Sequence, residues 1–167
     1  MSFREELAIA LNAVDFDAKG FADFLLQSAR LIFIGNGGSA AIASHMANDF
    51  SKNGDYPALC FNDPASLTCL ANDLGYEHVF SHPIEKHVRG PDCIIAISSS
   101  GKSANVIAGV YAAKKRGASI ATFSGFAPGN PLSELGDVNF HVKSFDYGIV
   151  ETAHLAMLHA TLREFRA

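Results

Sequence analysis

Several features that would narrow the function of this chain are missing from it. Its 167 residues include no tryptophan and only three cysteines. A membrane-spanning helix needs an apolar run of about 18 residues, and no run in this chain approaches that length. Thirteen basic and seventeen acidic residues give a formal net charge of −4, and the basic ones are scattered. Because nucleic acids and anionic membranes attract clustered positive charge, neither partner is expected. The polar amino-terminal start is unlike a signal peptide, which predicts a cytoplasmic protein.

The cysteines give no sign of chemistry. Their number is odd, and Cys60, Cys69 and Cys93 lack the spacing of metal ligands. Cys60 and Cys93 stand in apolar runs, as small core residues do. We therefore predict neither a disulfide framework nor a cysteine metal site.

The hydrophobic pattern predicts an α/β protein. The chain is 49% hydrophobic and has no Pro/Gly/Ser linker, so residues 1–167 are expected to form a single domain, with a helical segment at 1–29 and an α/β core at 30–167. Short runs that are apolar on both faces are typical of parallel strands covered by helices on either side. Five short runs, most of them apolar on both faces, predict a three-layer α/β/α sandwich with a five-stranded parallel sheet, of the flavodoxin-like or Rossmann-like kind: Leu31–Ile34, Ala58–Phe61, Cys93–Ile97, Ser119–Phe123 and Val138–Val142.

Capping and stop signals predict helices between these strands. Ser2 with Glu5 forms a capping box for an extra amino-terminal helix, with a break expected near residues 15–20. Ser39 is predicted to cap the helix after the first strand, and Gly117 to end the helix after the third. The predicted helices of the core are Ser39–Phe50, Ala104–Arg116 and Tyr147–Phe165.

Two polar loops follow strands of the predicted sheet. The glycine loop, Gly35–Ser39, follows the first strand, and the serine loop, Ser98–Ser103, follows the third. Ligands bind beyond the carboxyl ends of parallel strands, so both loops are expected to meet at one crevice. Glycines admit backbone amides close to a ligand, while four hydroxyls at a helix start favour an anion. A third loop, Ser124–Gly129, follows the fourth strand and receives no assignment.

The serine loop resembles a nucleotide-binding P-loop only at its end. Gly101-Lys102-Ser103 has the expected letters, but the glycine that must stand five residues earlier is replaced by Ala96, inside the predicted strand. A phosphate-wrapping turn does not fit there. The loop therefore predicts a phosphate site without a nucleotide cofactor.

Two helices carry ionisable side chains that could do chemistry. His45 and Asp49 are four residues apart on one helix, and Glu151 and His159 are eight apart on another. Such pairs are often helix-stabilising contacts. Near an anion site they could instead supply a base and an acid, or bind a divalent metal such as zinc. His154 is interpreted as a partially buried structural ring.

Three ordered motifs resemble the sugar isomerase (SIS) domain, most closely its sedoheptulose-7-phosphate isomerase (phosphoheptose isomerase) branch. They are Gly35-Asn36-Gly37-Gly38-Ser39, Asn72-Asp73-Leu74-Gly75-Tyr76 and Ser98-Ser99-Ser100-Gly101-Lys102-Ser103-Ala104-Asn105-Val106, within a match of about 31–159. The resemblance implies a phosphosugar aldose–ketose isomerase that acts through an enediol and serves surface polysaccharide synthesis. It also implies a homotetramer with sites between subunits.

The resemblance assigns roles to individual residues. It implies Asp49 as catalytic base, His159 as acid, and one zinc ion per site held by His45, Asp49, Glu151 and His159. The residues implied to bind substrate are Asn36, Gly37, Gly38, Ser39, Asn72, Asp73, Ser98, Ser99, Ser100, Ser103 and Glu151.

The chain departs from the branch at two of these positions. Asp49 stands where the family has glutamate, and Glu151 where the branch usually has glutamine. A second hypothesis therefore stands beside the enzyme: a non-catalytic phosphosugar-binding protein that regulates or scaffolds another protein. The ionisable set favours the enzyme, because a pure binder does not need it.

Overall fold

A five-stranded parallel sheet forms the centre of the molecule, as predicted. The computed structural model describes residues 1–165. The strands are β1 (Arg30–Gly35), β2 (Ala58–Cys60), β3 (Asp92–Ser98), β4 (Ser119–Gly125) and β5 (Val138–Val142), in the order β2-β1-β3-β4-β5. Every pairing is parallel. Strand β1 is thus a central strand whose neighbours are β2 and β3, and the chain changes direction across the sheet at this point.

Within residues 1–165, seven α-helices surround the sheet. They are α1 (Phe3–Asn12), α2 (Ala18–Leu25), α3 (Gly37–Asn53), α4 (Pro64–Leu74), α5 (Ser81–His87), α6 (Ala104–Lys115) and α7 (Tyr147–Glu164). Two 3₁₀ turns, Tyr76–His78 and Pro131–Glu134, lie in connections between them. Among residues 1–165, no helix combines the length and the apolar character required to cross a bilayer.

Two hydrophobic clusters, one on each face of the sheet, confirm the three-layer arrangement. Alternate strand residues divide between them: Phe33 and Ile95 join the cluster under α2, α3 and α7, while Ile32 and Ile94 join the one under α5 and α6. Strand β3 is buried along its whole length. This double burial explains why β1 and β3 read as continuous apolar runs in the sequence, whereas β5 is buried only at alternate residues.

The amino-terminal segment contains two helices. The predicted capping box is present: Glu5 N donates to Ser2 Oγ at 3.4 Å, and Ser2 N donates to the Glu5 carboxylate at 2.8 Å. Helix α1 ends at Asn12, and α2 begins after the N-cap residue Asp17. The break is therefore where the sequence indicated it.

The start of α3 differs from the prediction. The helix begins at Gly37 rather than Ser39, and Asn36 is its N-cap residue. Gly37 has a φ of 55°, which a residue without a Cβ adopts at little cost. Ser39 is thus not the cap but a buried residue of the first turn. The glycine loop is mostly the first turn of a helix, whose amides point towards the carboxyl end of the sheet.

Candidate functional site

Three helices begin around one cavity at the carboxyl ends of the strands. The cavity has a volume of about 320 Å³, within the range of small-molecule sites. The predicted convergence of the glycine and serine loops is confirmed, and the first turns of α7 complete the wall. The lining residues are Asn36, Gly37, Gly38, Ser39, Ser98, Ser99, Ser100, Ser103, Tyr147 and Glu151.

Two of these helix starts lack their usual side-chain caps. Neither N-cap side chain, Asn36 of α3 or Ser103 of α6, makes a hydrogen bond to a first-turn amide. Ser103 Oγ instead lies 3.0 Å from Ser98 Oγ. The buried Ser99 hydroxyl has no hydrogen-bond partner among the described residues. In α6 the Val106 amide already donates to Asn105 Oδ1 at 3.0 Å. The remaining amides that no N-cap side chain satisfies, together with an unpaired buried hydroxyl at one cavity, favour a bound anion.

Glu151 projects into the cavity from α7 and lies against α3. A Cβ at position 38 would overlap its carboxylate, so only glycine leaves room for Glu151 in this position. Burial raises the pKa of the Glu151 carboxyl, because desolvation disfavours the charged form. The acid therefore stands beside the anion site in an environment that favours its neutral form.

Replacing Glu151 by glutamine is expected to stabilise the fold at neutral pH. An acid whose pKa is raised by folding contributes stability below its unfolded pKa and loses it as the pH rises through the folded value. Glu151→Gln cannot ionise, so its melting temperature should exceed that of the wild type at about pH 7.5 and approach it at about pH 4. Thermal melts at both pH values measure this. Glu85→Gln, at an exposed position outside the cavity, is the control, and an equal shift at both pH values would contradict the desolvation argument.

The Asn36 side chain is engaged by other protein groups. Its amide pairs reciprocally with that of the buried Asn105, each Nδ2 donating to the opposite Oδ1 at 2.8 Å. The Tyr76 hydroxyl also donates to Asn36 Oδ1 at 3.0 Å. Asn36 thus ties the start of α3 to the start of α6. Of the second motif, Asn72–Tyr76, Tyr76 reaches this network, whereas Asn72 and Asp73 lie exposed at the end of α4, outside the residues that line the cavity.

A second polar cluster joins α3 to α7. His45 Nε2 lies 3.5 Å from Asp49 Oδ2 and 3.3 Å from His159 Nε2, and His159 Nδ1 lies 4.0 Å from Asp49 Oδ2. Both imidazoles are about half exposed, while the Asp49 side chain is 16% exposed. These three residues, which we call the His-Asp cluster, include both proposed catalytic groups. Three of the four predicted metal ligands thus meet, and Glu151 is not among them.

The His-Asp cluster has the donor set of a zinc site. One ligand atom from each residue lies within 4.8 Å of the other two. Around a tetrahedral zinc ion with bonds near 2.05 Å, ligand atoms are about 3.3 Å apart, so only small side-chain movements are needed. Two imidazoles and a carboxylate also leave a fourth position open, as catalytic zinc sites require. The residues present therefore fit the metal.

Removing one imidazole should weaken zinc binding without unfolding the chain. We expect His45→Ala to lower the zinc affinity by at least about tenfold, because even loss of an outer-shell partner has that effect. Competition with a chromogenic chelator measures the affinity, and circular dichroism checks the fold. His87→Ala, an exposed histidine outside the cluster, should bind zinc as the wild type does. Equal affinity in all three proteins would exclude the His-Asp cluster as the zinc site.

The two centres lie along the same pair of helices. Gly38 faces Glu151, and seven to eight residues further on His45 faces His159, so α3 and α7 run parallel in contact. At 1.5 Å per residue, the anion cavity and the His-Asp cluster are separated by about 10–12 Å along the helix axes. We call the stretch of the α3–α7 pair between them the groove: the anion cavity lies at one end, and the His-Asp cluster, whose residues do not line that cavity, lies at the other.

His154 lies in the core, away from the groove. It is fully buried, its Nε2 lies 3.0 Å from the Ser124 carbonyl oxygen, and its ring packs edge-on against Phe123. Burial lowers its pKa to about 4, and the nearby His141 adds to this, while the bond to Ser124 opposes it. His154 is thus a core residue, as interpreted, but it is fully rather than partially buried, and its Nδ1 has no hydrogen-bond partner among residues 1–165.

Sequence reasoning missed Tyr147, Asn105 and Tyr76 as parts of the site. Tyr147 lines the cavity from the first turn of α7, and its ring packs against Phe126 with centroids 4.8 Å apart. Asn105 and Tyr76 belong to the motifs that resemble the SIS domain, but nothing in the sequence was a reason to assign either of them a role. Their polar groups meet Asn36 across the sheet, and no spacing along the chain indicates such a contact.

Comparisons with known proteins agree with this geometry. The SIS domain family model matches residues 5–125. The phosphoheptose isomerase of Glaesserella parasuis serovar 5 is 34% identical over 143 residues, which cover 82% of this chain and 74% of the relative. That of Enterobacter sp. strain 638 is 31% identical over 159 residues, covering 92% and 82%.

Solved structures give the same result. The phosphoheptose isomerase of Neisseria gonorrhoeae superposes with a TM-score of 0.80 at 31% identity, covering 87% of this chain and 83% of that one. The Francisella tularensis enzyme has a TM-score of 0.82 at 20% identity, covering 96% and 91%, which supports the fold. The predicted resemblance is thus confirmed over most of the chain. This chain belongs to the SIS domain family and, within it, to the phosphoheptose isomerases.

Proposed function

We propose that this protein isomerises sedoheptulose 7-phosphate to an aldoheptose 7-phosphate through an enediol. The observation that carries the proposal is the groove itself, which has an anion cavity at one end and the His-Asp cluster at the other. An enzyme that moves a carbonyl between neighbouring carbons of a phosphosugar needs both functions at a fixed separation.

The serine loop is proposed to bind the substrate phosphate. Ser99 and the uncapped start of α6 offer donors, while Gly37 and Gly38 present the amides of α3 on the facing wall. Ser39, Ser98, Ser100, Ser103 and Glu151 complete the proposed contacts. Asn36 is proposed to act mainly through Asn105. The roles of Asn72 and Asp73 stay predictions, because neither residue lines the cavity.

The length of the groove supports a long sugar. Seven bonds join the phosphorus of sedoheptulose 7-phosphate to its C2 carbonyl carbon. An extended chain advances about 1.2 Å per bond, so these two atoms are about 8 Å apart. With side chains bridging the remainder, this distance matches the 10–12 Å between the two centres. In a triose phosphate only three bonds separate the same atoms, about 4 Å, so its carbonyl would not reach the His-Asp cluster.

Asp49 and His159 are proposed to share the proton transfers. The Asp49 carboxylate removes a proton from C1, the C–H electron pair forms the C1–C2 double bond, and His159 protonates O2 to complete the enediol. His159 then accepts the proton of the O1 hydroxyl as the C1 carbonyl forms, and Asp49 returns its proton to C2. The closest approach of Asp49 to both histidines is through Oδ2, so we propose Oδ1 as the oxygen that accepts the proton.

His45, Asp49 and His159 are the residues proposed to hold a zinc ion. When bound, such an ion supplies Lewis-acid polarisation of the carbonyl oxygen. Within the described structure Glu151 is not part of this cluster, so we propose it as a cavity residue and leave its role as a ligand a prediction.

Turnover of a panel of sugar phosphates tests the proposal. Purified protein is incubated with ketose and aldose phosphates of three to seven carbons, with and without added zinc, and interconversion is followed by NMR. We expect turnover of the seven-carbon substrate and none of the trioses. Binding of phosphosugars without turnover under any metal condition would exclude the isomerase and favour the non-catalytic binding protein.

We also propose that the protein is a homo-oligomer, the tetramer that the resemblance implies. Three aromatic side chains lie largely exposed beside the mouth of the cavity: Phe3 at 54%, Phe145 at 74% and Tyr147 at 59%. A second copy covering them would remove a large apolar surface from water. Light scattering coupled to size-exclusion chromatography measures the state, and a monomer at micromolar concentration would contradict the proposal.

A further inference from the structure

One buried carboxamide organises the loop that follows β4. Asn130 is 2% exposed. Its Nδ2 lies within hydrogen-bonding distance of three acceptors: Ser124 Oγ at 3.1 Å, the Gly125 carbonyl at 3.2 Å and the Ala127 carbonyl at 3.1 Å. Its Oδ1 accepts from Ser133 N at 3.1 Å. Both ends of the amide are therefore committed to folding this loop.

The same carboxamide supports the serine loop from behind. Gly101 turns with a φ of 64°, and a Cβ at this position would overlap Asn130 Oδ1. The two loops are also joined by backbone bonds. Leu132 N donates to the Gly101 carbonyl at 3.0 Å, and Gly125 N donates to the Ser99 carbonyl at 2.9 Å. The turn that leads from Ser99 to the start of α6 is thus held against Asn130.

We propose that Asn130 is a positioning residue for the phosphate site. Its carboxamide sets the position of Gly101, and through the serine loop it sets the Ser99 hydroxyl and the first amides of α6. The inference rests on the proposed function, since it takes the serine loop as the phosphate anchor. Asn130 itself does not line the cavity and so acts only through the loop.

Exchanging the amide for an acid tests this role with little change in shape. In Asn130→Asp, an oxygen that cannot donate faces the Gly125 and Ala127 carbonyls, and only the Ser124 hydroxyl can rotate to donate to it, so the loop must move. We expect KM for the sugar phosphate and Kd for inorganic phosphate to rise about tenfold, as for one lost hydrogen bond. The kcat should stay within about threefold, because the His-Asp cluster lies two helical turns away.

An exposed asparagine at another turn, Asn139, provides the control. Asn139 also spans a turn, accepting from Gly136 N and donating to the Gly136 carbonyl, each at 3.0 Å. Its turn does not contact the serine loop, so Asn139→Asp should leave both KM and the phosphate Kd unchanged. A split between KM and kcat confined to the position 130 variant identifies positioning rather than general destabilisation.

A milder variant covers the case in which Asn130→Asp does not fold. Ser124→Ala removes one of the three acceptors, and we expect it to fold and to raise KM and the phosphate Kd about threefold. The wild type is measured first with inorganic phosphate and with sedoheptulose 7-phosphate. Failure of the wild type to bind either would remove the proposed function. Normal binding by the wild type, with unchanged KM and Kd in the folded variants, would overturn the role of Asn130 alone.

Discussion

Asp49→Asn is expected to lower kcat of the metal-saturated enzyme by about 10² to 10⁴, the contribution typical of a general base. The amide keeps the shape of the side chain but cannot accept a proton from C1. KM should change little, because the anion cavity lies two helical turns away. Asp49 is also a proposed zinc ligand, so the zinc concentration that saturates this variant is first determined by chelator competition. Steady-state kinetics with sedoheptulose 7-phosphate at that concentration measure both constants.

Two further substitutions make this result specific. Asp49→Glu retains a carboxylate and introduces the residue that the family has here, so it should lose less activity than Asp49→Asn, although a shift of about 1 Å can cost about 100-fold. Asp23→Asn alters an exposed pair with Lys19, at 3.4 Å, and should have no effect. Wild-type kcat in Asp49→Asn would show that another group removes the proton.

His154→Gln is expected to remove much of the acid sensitivity of the fold. Folding lowers the pKa of His154 to about 4 from an ordinary 6.5, so between these values the unfolded chain binds a proton that the folded chain excludes. Stability is therefore lost as the pH falls through this window. The largest effect of the shift is about 3 kcal/mol in the free energy of unfolding.

Urea unfolding between about pH 7 and pH 4.5 measures this linkage. Glutamine keeps an amide donor for the Ser124 carbonyl and does not titrate, so the free energy of unfolding of His154→Gln should depend less steeply on pH. His87→Gln, at an exposed ring, should follow the wild type. Parallel pH profiles for His154→Gln and the wild type would contradict a buried neutral imidazole.

The sheet was predictable because burial on both faces leaves a local pattern. Every residue of β3 is buried, so its apolar run alone marks it as a strand. The start of α3 was not predictable in the same way. Two glycines indicate a loop, yet Asn36 takes an extended N-cap conformation, and Gly37 and Gly38 become helical. At Gly38 the missing Cβ leaves room for the Glu151 carboxylate, which comes from a distant helix.

The candidate site was predictable where two of its side chains lie on the same helix. His45 and Asp49 share a helical face, and their contact follows from spacing alone. His159 joins them from 110 residues further along the chain, and only the family resemblance indicated that meeting. The contact of Asn130 with the serine loop could not be predicted from the sequence, because a buried amide is recognised only by its hydrogen-bond partners.

The parallel contact of α3 with α7 has a consequence for how this site can change. The anion cavity and the His-Asp cluster are both built from α3 and α7. The distance between them is therefore set by the number of helical residues that separate them. Inserting one residue between Gly38 and His45 would lengthen it by about 1.5 Å but rotate the imidazole by about 100° out of the groove. Preference for a shorter or longer sugar can therefore shift only by whole turns, or through the loops at the anion end.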